Sequence, residues 1–395
     1  MNFPLEIPDS LRRQLPPGTG VLLGISGGVD SAVTLAMLKA LECEVQCVTF
    51  KNFCYSEGDD DSSEKSCCSL EAIDDARRLA YSFDSPHWVG DVEKPFRQQV
   101  IDPFIKDYVK ATTPNPCLAC NADVRFPELV RLAERQGCGF AATGHYARIE
   151  TAGNGAQLLC GVDPGKDQSY FLHRIEPRLF PRLSFPLGWY NKTQVRWAAA
   201  ELGLQVAKKR DSQELCFVPD GDRGFLFSDQ AGTPATQAGN IINRQGEVLG
   251  RHRGLIHYTV GQRKGLGVAA AEPLYVLELD LKRSALIVGV KADVWRDDIV
   301  AENFQTAVAD FPSEWSREVS GPTDPDDNVI LRIRHGHAGA RVLSWQMRND
   351  RIQVKLADEV DAPAPGQACV IYRGDVVLGG GRMMKRGAKL EGNRD

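Results

Sequence analysis

Short apolar runs alternate with amphipathic stretches through the first 150 residues. GVLLGIS (20–26) and EVQCVTF (44–50) are apolar without a helical period, as strands buried on both faces of a sheet are. Between them Val29 to Leu41, rich in Ala, Leu and Met, predicts a helix. In SLEAIDDARRLAYSF, Ile73, Ala76 and Leu79 recur at helical spacing while Glu71, Asp74, Asp75 and Arg78 fall off that face, which predicts an amphipathic helix. HWVGDV predicts a third strand, 93–110 and 122–136 two more helices, and GFAAT (139–143) a strand ending at Gly144. An acidic, Ser-rich loop, YSEGDDDSSEKS, interrupts the series. Strand–helix alternation predicts an α/β, Rossmann-like domain with a parallel sheet covered on both faces.

Beyond residue 220 the pattern changes to glycines and short β-rich runs: PLYVLELD, SALIVGV, VILRIR, RIQVKLA and QACVIYRGDVVLGG. These predict two smaller β-rich domains, the last a β-barrel. A chain of 395 residues is long for one core. The expected division is 1–220, 221–293 and 294–385, with a tail over 386–395.

Charge and cysteine content narrow the classes. Lys and Arg number 47 against 52 Asp and Glu, a net charge of −5. Basic residues are nevertheless bunched, in KKR (208–210), RHR (251–253), QRKG (262–265) and RIRHGH (332–337), and local patches hold phosphates even on an acidic protein. No window approaches the roughly 18 apolar residues of a membrane span, so no membrane partner is expected. The N-terminus lacks a basic-then-apolar signal pattern, and the 11 cysteines are odd in number and scattered. A reducing, cytoplasmic location is the expectation.

The octamer GISGGVDS (Gly24, Ile25, Ser26, Gly27, Gly28, Val29, Asp30, Ser31) ends the first strand and opens the first helix. Adjacent glycines let backbone N–H groups curl inward, and the helix N-terminus adds partial positive charge, so the loop is an anion cradle. It has no Lys and is not the GxxxxGK[ST] loop. Asp30 would repel phosphates, so it is expected either to cap the helix or to face them across Mg²⁺. SGGVDS in this setting resembles the PP-loop of the ATP pyrophosphatases, enzymes that split ATP into AMP and pyrophosphate. The resemblance implies that fold and that nucleotide.

TPNPCLACN (113–121) sets two cysteines three apart behind two prolines, and DSQELCF brings Cys216 about a hundred residues later. With ATGHYARI, DPGKDQSYFL, HYTVGQRKGLG and APGQACVIYRGDVVLGGG, these blocks run in order from 24 to 381 and resemble the bacterial tRNA-specific 2-thiouridylases. The resemblance implies that the octamer, Phe50 and Gly144 hold ATP. It implies that Cys120 is the nucleophile and that Cys216 carries a persulfide. Asn115, Pro116 and Cys117 approach the target base. Lys166, Asp167, Gln168, Arg334 and His335 touch tRNA, and His145 and Gln367 bear on tRNA discrimination. A sulfur donor, a persulfide carrier or sulfide, is the further partner.

The implied chemistry is ATP-dependent 2-thiolation of the wobble uridine (U34). Adenylating the C2 oxygen makes it a leaving group as AMP, and sulfur then takes its place. The family usually has Asp where this chain has Cys117. Cys117, Cys120 and Cys216 together supply three thiolates, enough for a [4Fe–4S] cluster with one open iron, so sulfur arrives either by persulfide or on such a cluster. A structural zinc site would want four ligands, which only Cys54, Cys67 and Cys68 could help supply. Cys43, Cys47, Cys138, Cys160 and Cys369 lie in or beside apolar runs and are expected in the core. The rival readings are a PP-loop synthetase or amidotransferase adenylating another acceptor, and a non-catalytic RNA-binding protein.

Three further segments carry weight. His145 follows a strand end, where open parallel sheets bind ligands. KDQSYFL sets Lys166 and Gln168 at a helix start, and the glycines of YTVGQRKGLG permit close approach to RNA. Alternation in RIRHGH would send Arg332 and Arg334 to one face of a strand and His335 to the other.

Overall fold

The computed structural model describes residues 3–53, 70–153, 155–208, 215–218, 224–308 and 328–390. Cys54, Cys67, Cys68, the acidic loop and residues 219–223 at the first expected domain boundary lie outside them.

The N-terminal sheet is built from β1 (Gly20–Gly24), β2 (Glu44–Lys51), β3 (His87–Asp91) and β4 (Phe140–Thr143). A hairpin of β5 (Ala147–Ala152) and β6 (Gly155–Cys160) follows, then the short β7 (Leu183–Ser184). The sheet order is β3-β2-β1-β4-β7 and every pairing is parallel. Val21, Leu22 and Leu23 of β1 are at most 1% exposed. Val21 and Leu23 pack with Val33 and Met37 of the helix Val29–Ala40, whereas Leu22 packs with Phe126 and Leu129 from the opposite side. Helices therefore cover both faces, as the aperiodic apolar runs predict. The chain leaves β1 toward β2 on one side and reaches β4 on the other. That reversal opens a crevice at the strands' carboxyl ends.

The helix over 93–109 contains a π-helical turn, Arg97–Ile101, ending two residues before Pro103, and the helix over 116–135 contains another, Cys120–Arg125, ending two residues before Pro127. Proline has no N–H to donate to the preceding turn, and the widened turn absorbs the gap. The second helix begins six residues before its sequence-predicted start. Asn115 is its N-cap, accepting from Cys117 N at 3.2 Å, and Pro116 occupies the first turn. The two cysteines of TPNPCLACN thus stand on helix.

Four strands, β8 (Gly239–Ile242), β9 (Val248–His252), β10 (Tyr275–Asp280) and β11 (Ala285–Gly289), form a small sheet in the order β10-β11-β8-β9. The final strands are β12 (Trp295–Thr306), β13 (Val329–Arg332), β14 (Ala340–Arg348), β15 (Arg351–Asp361), β16 (Ala368–Arg373) and β17 (Val376–Met383). They close into a barrel where β12 pairs β17, Ala301 opposite Met383 and Thr306 opposite Gly379. The β5–β6 hairpin joins this barrel sheet, not the N-terminal one. Leu159 pairs with Val376, and Arg148 bonds Asp375 at 2.5 Å. The α/β unit and the barrel are thereby stitched by main-chain pairing.

Candidate active site

The octamer's local sequence sets its geometry. Gly27 has φ +66°, open to glycine at no cost, and a Cβ there would meet Asp75 Cβ at 3.1 Å and Ala76 N at 3.2 Å. Gly28 is the N-cap of the helix Val29–Ala40. Ser31 Oγ turns back to Gly28 O at 3.0 Å. Gly144, at the end of β4, faces the loop so closely that a Cβ would stand 3.0 Å from the Asp30 carbonyl carbon.

A cavity of about 220 Å³ lies at this crevice. Gly24, Ile25, Ser26, Asp30 and Ser31 line it from the loop, Phe50 from the end of β2, and Gly144, His145 and Gln168 from the other side. Gly27, Gly28 and Val29 sit behind that wall as its turn and helix start. His145, which the resemblance ties to tRNA discrimination, lines the cavity wall. Thr143 Oγ1 lies 2.7 Å from its Nδ1 and the rings of Phe126 and Phe185 flank it. Burial, aided by the Arg125 charge, lowers its pKa to about 3, so the imidazole is neutral.

Asp30 neither caps the helix nor stands open for Mg²⁺. Its carboxylate accepts two bonds from Lys192 Nζ, at 2.7 and 2.8 Å, and one from Tyr146 Oη at 2.7 Å. The ammonium is buried, and its backbone N–H is held by Asp163 Oδ2 at 2.9 Å. The lysine absent from the loop is thus supplied by the helix Lys192–Glu201. Asn191 and Gln194 form a capping box there, a signal legible in NKTQ, although nothing local tells where the lysine points. Arg125, which lines the cavity itself, is a further cation missed from sequence.

Cys120 is 7% exposed and Cys117 is exposed. Cys216 is half-buried and packs on the same apolar cluster as Cys120, with Phe50, Phe96, Phe104 and Phe217. Phe50 lines the loop cavity and also packs against the cluster that holds Cys120. Among the described residues no three His, Cys, Asp or Glu side chains gather as metal ligands. As arranged, the three thiols do not fit a [4Fe–4S] cluster, and the loop does not fit a Mg²⁺ on Asp30. The remaining cysteines are in the core as expected: burial pushes Cys43 and Cys160 up to about 11 and Cys47 and Cys369 up to about 12, and also raises Cys138.

The expected tRNA residues divide. The Asp167 carboxylate is buried and accepts from Gly161 N, Ser169 N and Ser169 Oγ, each at 3.0 Å, and from Arg332 at 2.7 Å. It holds the fold and does not reach solvent. Lys166 is half-exposed, while Gln168 accepts from Tyr146 N at 2.9 Å beside the loop cavity. Arg334 and His335 are both exposed, because β13 ends at Arg332 and Gly336 turns the chain with φ +75°. Strand alternation does not extend to them. His335 stacks on Phe171 and bonds Asp167 O at 3.1 Å. Gln367 reaches across from the barrel to Thr113 O at 3.0 Å, tying the Pro-rich segment to the C-terminal unit.

Three family models match in succession: a tRNA methyl transferase HUP domain over residues 19–220, a tRNA methyl transferase PRC-barrel domain over 231–290 and an aminomethyltransferase β-barrel domain over 314–383. A protein of Geobacter metallireducens named tRNA-specific 2-thiouridylase MnmA is 41% identical, covering 91% of this chain and 95% of its own. Proteins of the same name from Lachnoclostridium phytofermentans and Rickettsia canadensis are each 38% identical, covering 92% and 91% of this chain and 99% and 95% of their own. With identity of this degree along nearly the whole chain, the chain belongs to the tRNA-specific 2-thiouridylase family.

Proposed function

We propose that this chain is an ATP-dependent tRNA-uridine 2-sulfurtransferase acting on the wobble base. The observation that carries the reading is the position of Phe50, one side of which borders the loop cavity while the other packs in the cluster of Cys120 and Cys216. Phe50 thus connects the loop cavity to the apolar cluster in which the thiols sit. ATP is the substrate for the loop cavity, with backbone N–H groups and the helix start facing its phosphates and Lys192 offsetting the Asp30 charge.

In the proposed sequence the uracil C2 oxygen attacks the α-phosphorus of ATP and pyrophosphate leaves. A terminal persulfide sulfur on Cys216 adds at C2 and expels AMP, leaving a Cys216–S–S–C2 linkage. The Cys120 thiolate attacks Cys216 Sγ, forming a Cys120–Cys216 disulfide and releasing the 2-thio base. A thiol reductant then restores both thiols. The presence of Cys216 and Cys120 in one apolar cluster, with no metal-ligand trio among the described residues, favours this route over the iron–sulfur cluster. The later domains, 221–293 and 294–385, grip the tRNA.

The test is in vitro thiolation with ATP and a persulfide donor, scored separately for pyrophosphate release and for 2-thiouridine. Cys120→Ser and Cys216→Ser should abolish thiouridine while leaving RNA-dependent pyrophosphate release within threefold. Thiolation retained by Cys216→Ser would favour a synthetase with another acceptor and overturn the reading.

A further inference from the structure

The end of β2 carries a hydrogen-bond chain that the chemistry above does not use. In the parallel pairing of β2 and β3, Cys47 stands opposite His87 and Thr49 opposite Val89. Alternate residues of a strand share a face, so His87 and Thr49 are diagonal neighbours. Thr49 is buried, and its Oγ1 donates to Ile25 O at 3.0 Å and lies 2.9 Å from His87 Nε2.

The chain runs in one direction. A hydroxyl has a single proton, and the Ile25 carbonyl can only accept it. The Thr49 oxygen therefore accepts from His87, and Nε2 carries the imidazole proton. Among the described residues His87 Nδ1 is buried with no hydrogen-bond partner, so a second proton there would find no acceptor. Burial, aided by the Arg77 charge, lowers the pKa of His87 below its ordinary value and keeps the ring neutral.

The carbonyl at the end of the chain belongs to the octamer. A trans peptide points its C=O and N–H to opposite sides, so fixing Ile25 O on Thr49 turns Ser26 N–H the other way. That N–H lies 3.4 Å from Ser31 Oγ, whose own proton goes to Gly28 O at 3.0 Å. Ser26 and Ser31 both line the loop cavity. The reversed peptide would aim a carbonyl dipole at the phosphates. The residues after Ser26 are glycines, and Gly27 has φ +66°, so the chain beyond supplies little stiffness of its own. Ile25 N is tied to Val48 O at 2.9 Å. Thr49 holds the carbonyl of the same residue, and His87 fills the acceptor side of that hydroxyl.

We propose that His87 is a positioning residue for the phosphate loop: through Thr49 it fixes the Ile25–Ser26 peptide with its N–H toward the bound nucleotide. The proposal rests on the ATP-dependent activity proposed above and adds to it a residue outside the cavity wall.

The test uses the full-length protein, titrated with a non-hydrolysable ATP analogue and assayed for RNA-dependent pyrophosphate release. Thr49→Val removes the hydroxyl at nearly constant shape, and His87→Leu removes the donor. Each should weaken the analogue and raise KM for ATP by about tenfold, with KM for tRNA within about twofold of the wild type. The double variant should be no more than about threefold worse than either single one, because both cut one chain. Thr49→Ser and His87→Gln keep the hydroxyl and an N–H donor and should stay within about threefold of the wild type. Nitrogen NMR of histidine-labelled wild type should show His87 as the Nε2–H tautomer, a readout that needs no variant to fold. An Nδ1–H tautomer, effects that multiply in the double variant, or a His87→Gln as weak as His87→Leu overturns the proposal. So does a lower urea midpoint in His87→Leu with ATP affinity unchanged. A wild type that binds no ATP analogue would instead overturn the activity on which the proposal rests.

Discussion

Lys192 Nζ grips both carboxylate oxygens of Asp30, 2.7 and 2.8 Å away, across 162 residues of chain. The ammonium side chain is 10% exposed and the carboxylate 33%. Removing one partner of a fully buried pair costs about 3–5 kcal/mol, and the exposure of Asp30 brings this to about 2 kcal/mol. Lys192→Met should therefore lower stability by about 2 kcal/mol in urea unfolding. It should lower pyrophosphate release further, by 100-fold or more, because an uncompensated Asp30 faces the phosphates. Equal ATP affinity in mutant and wild type would refute this role.

Gly144→Ala tests the close approach of β4 to the loop. The new Cβ would stand 3.0 Å from Asp30 C and 3.2 Å from Ser31 N, and both are backbone atoms that cannot rotate away. The strand end and the loop must separate. Calorimetry with an ATP analogue should show affinity weakened about tenfold or more, with the circular dichroism spectrum unchanged.

Arg332 joins the barrel to the α/β unit through Asp167, at 2.7 Å, and its guanidinium lies 4.4 Å from the Tyr372 ring centroid. Arg332→Leu leaves a carboxylate, 5% exposed, without its charge partner. The expected loss is about 3 kcal/mol in chemical denaturation. Asp167→Asn in the same background should recover part of it by removing the buried charge.

Two histidines, His173 buried and His145 half-buried in the cavity wall, make stability depend on pH. Burial lowers His145 to about 3 and His173 to about 4, against about 6.5 in the unfolded chain. Below pH 6.5 the unfolded chain binds protons that the folded one refuses, so stability present above pH 6.5 is lost as pH falls toward 4 and 3. At pH 5 the loss from His173 alone is at most about 2 kcal/mol. Urea midpoints should fall between pH 7 and 5. His173→Asn, whose amide N–H can replace the bond to Tyr170 O, should flatten that slope; an unchanged slope would remove His173 as a contributor.

The legible parts of this protein were those with local physical signatures. Apolar runs of four to seven residues marked β1 to β4, and the glycine pair between a strand and a helix marked the anion loop. The β5–β6 hairpin was not legible. ARIETA and GAQLLC are short and mixed in polarity, and their place on the barrel rests on one backbone pairing with β17, more than 200 residues away. The early start of the thiol helix was recoverable in hindsight from Asn115–Pro116, a capping pair obscured by the prolines around it.

By itself the sequence determined the alternation that makes the parallel sheet, the loop that cradles an anion, and the ordered blocks that identify the family. Periodicity, turn chemistry and motif order are properties of neighbouring residues. Only the tertiary structure decided that Asp30 answers to Lys192, that His145 faces the loop cavity, that Asp167 is buried under Arg332, and that Gln367 holds the Pro-rich segment. Each joins positions far apart in the chain or depends on which side of an element faces the interior. Burial and partner choice are set by packing of the whole molecule, which leaves no periodic trace in either segment.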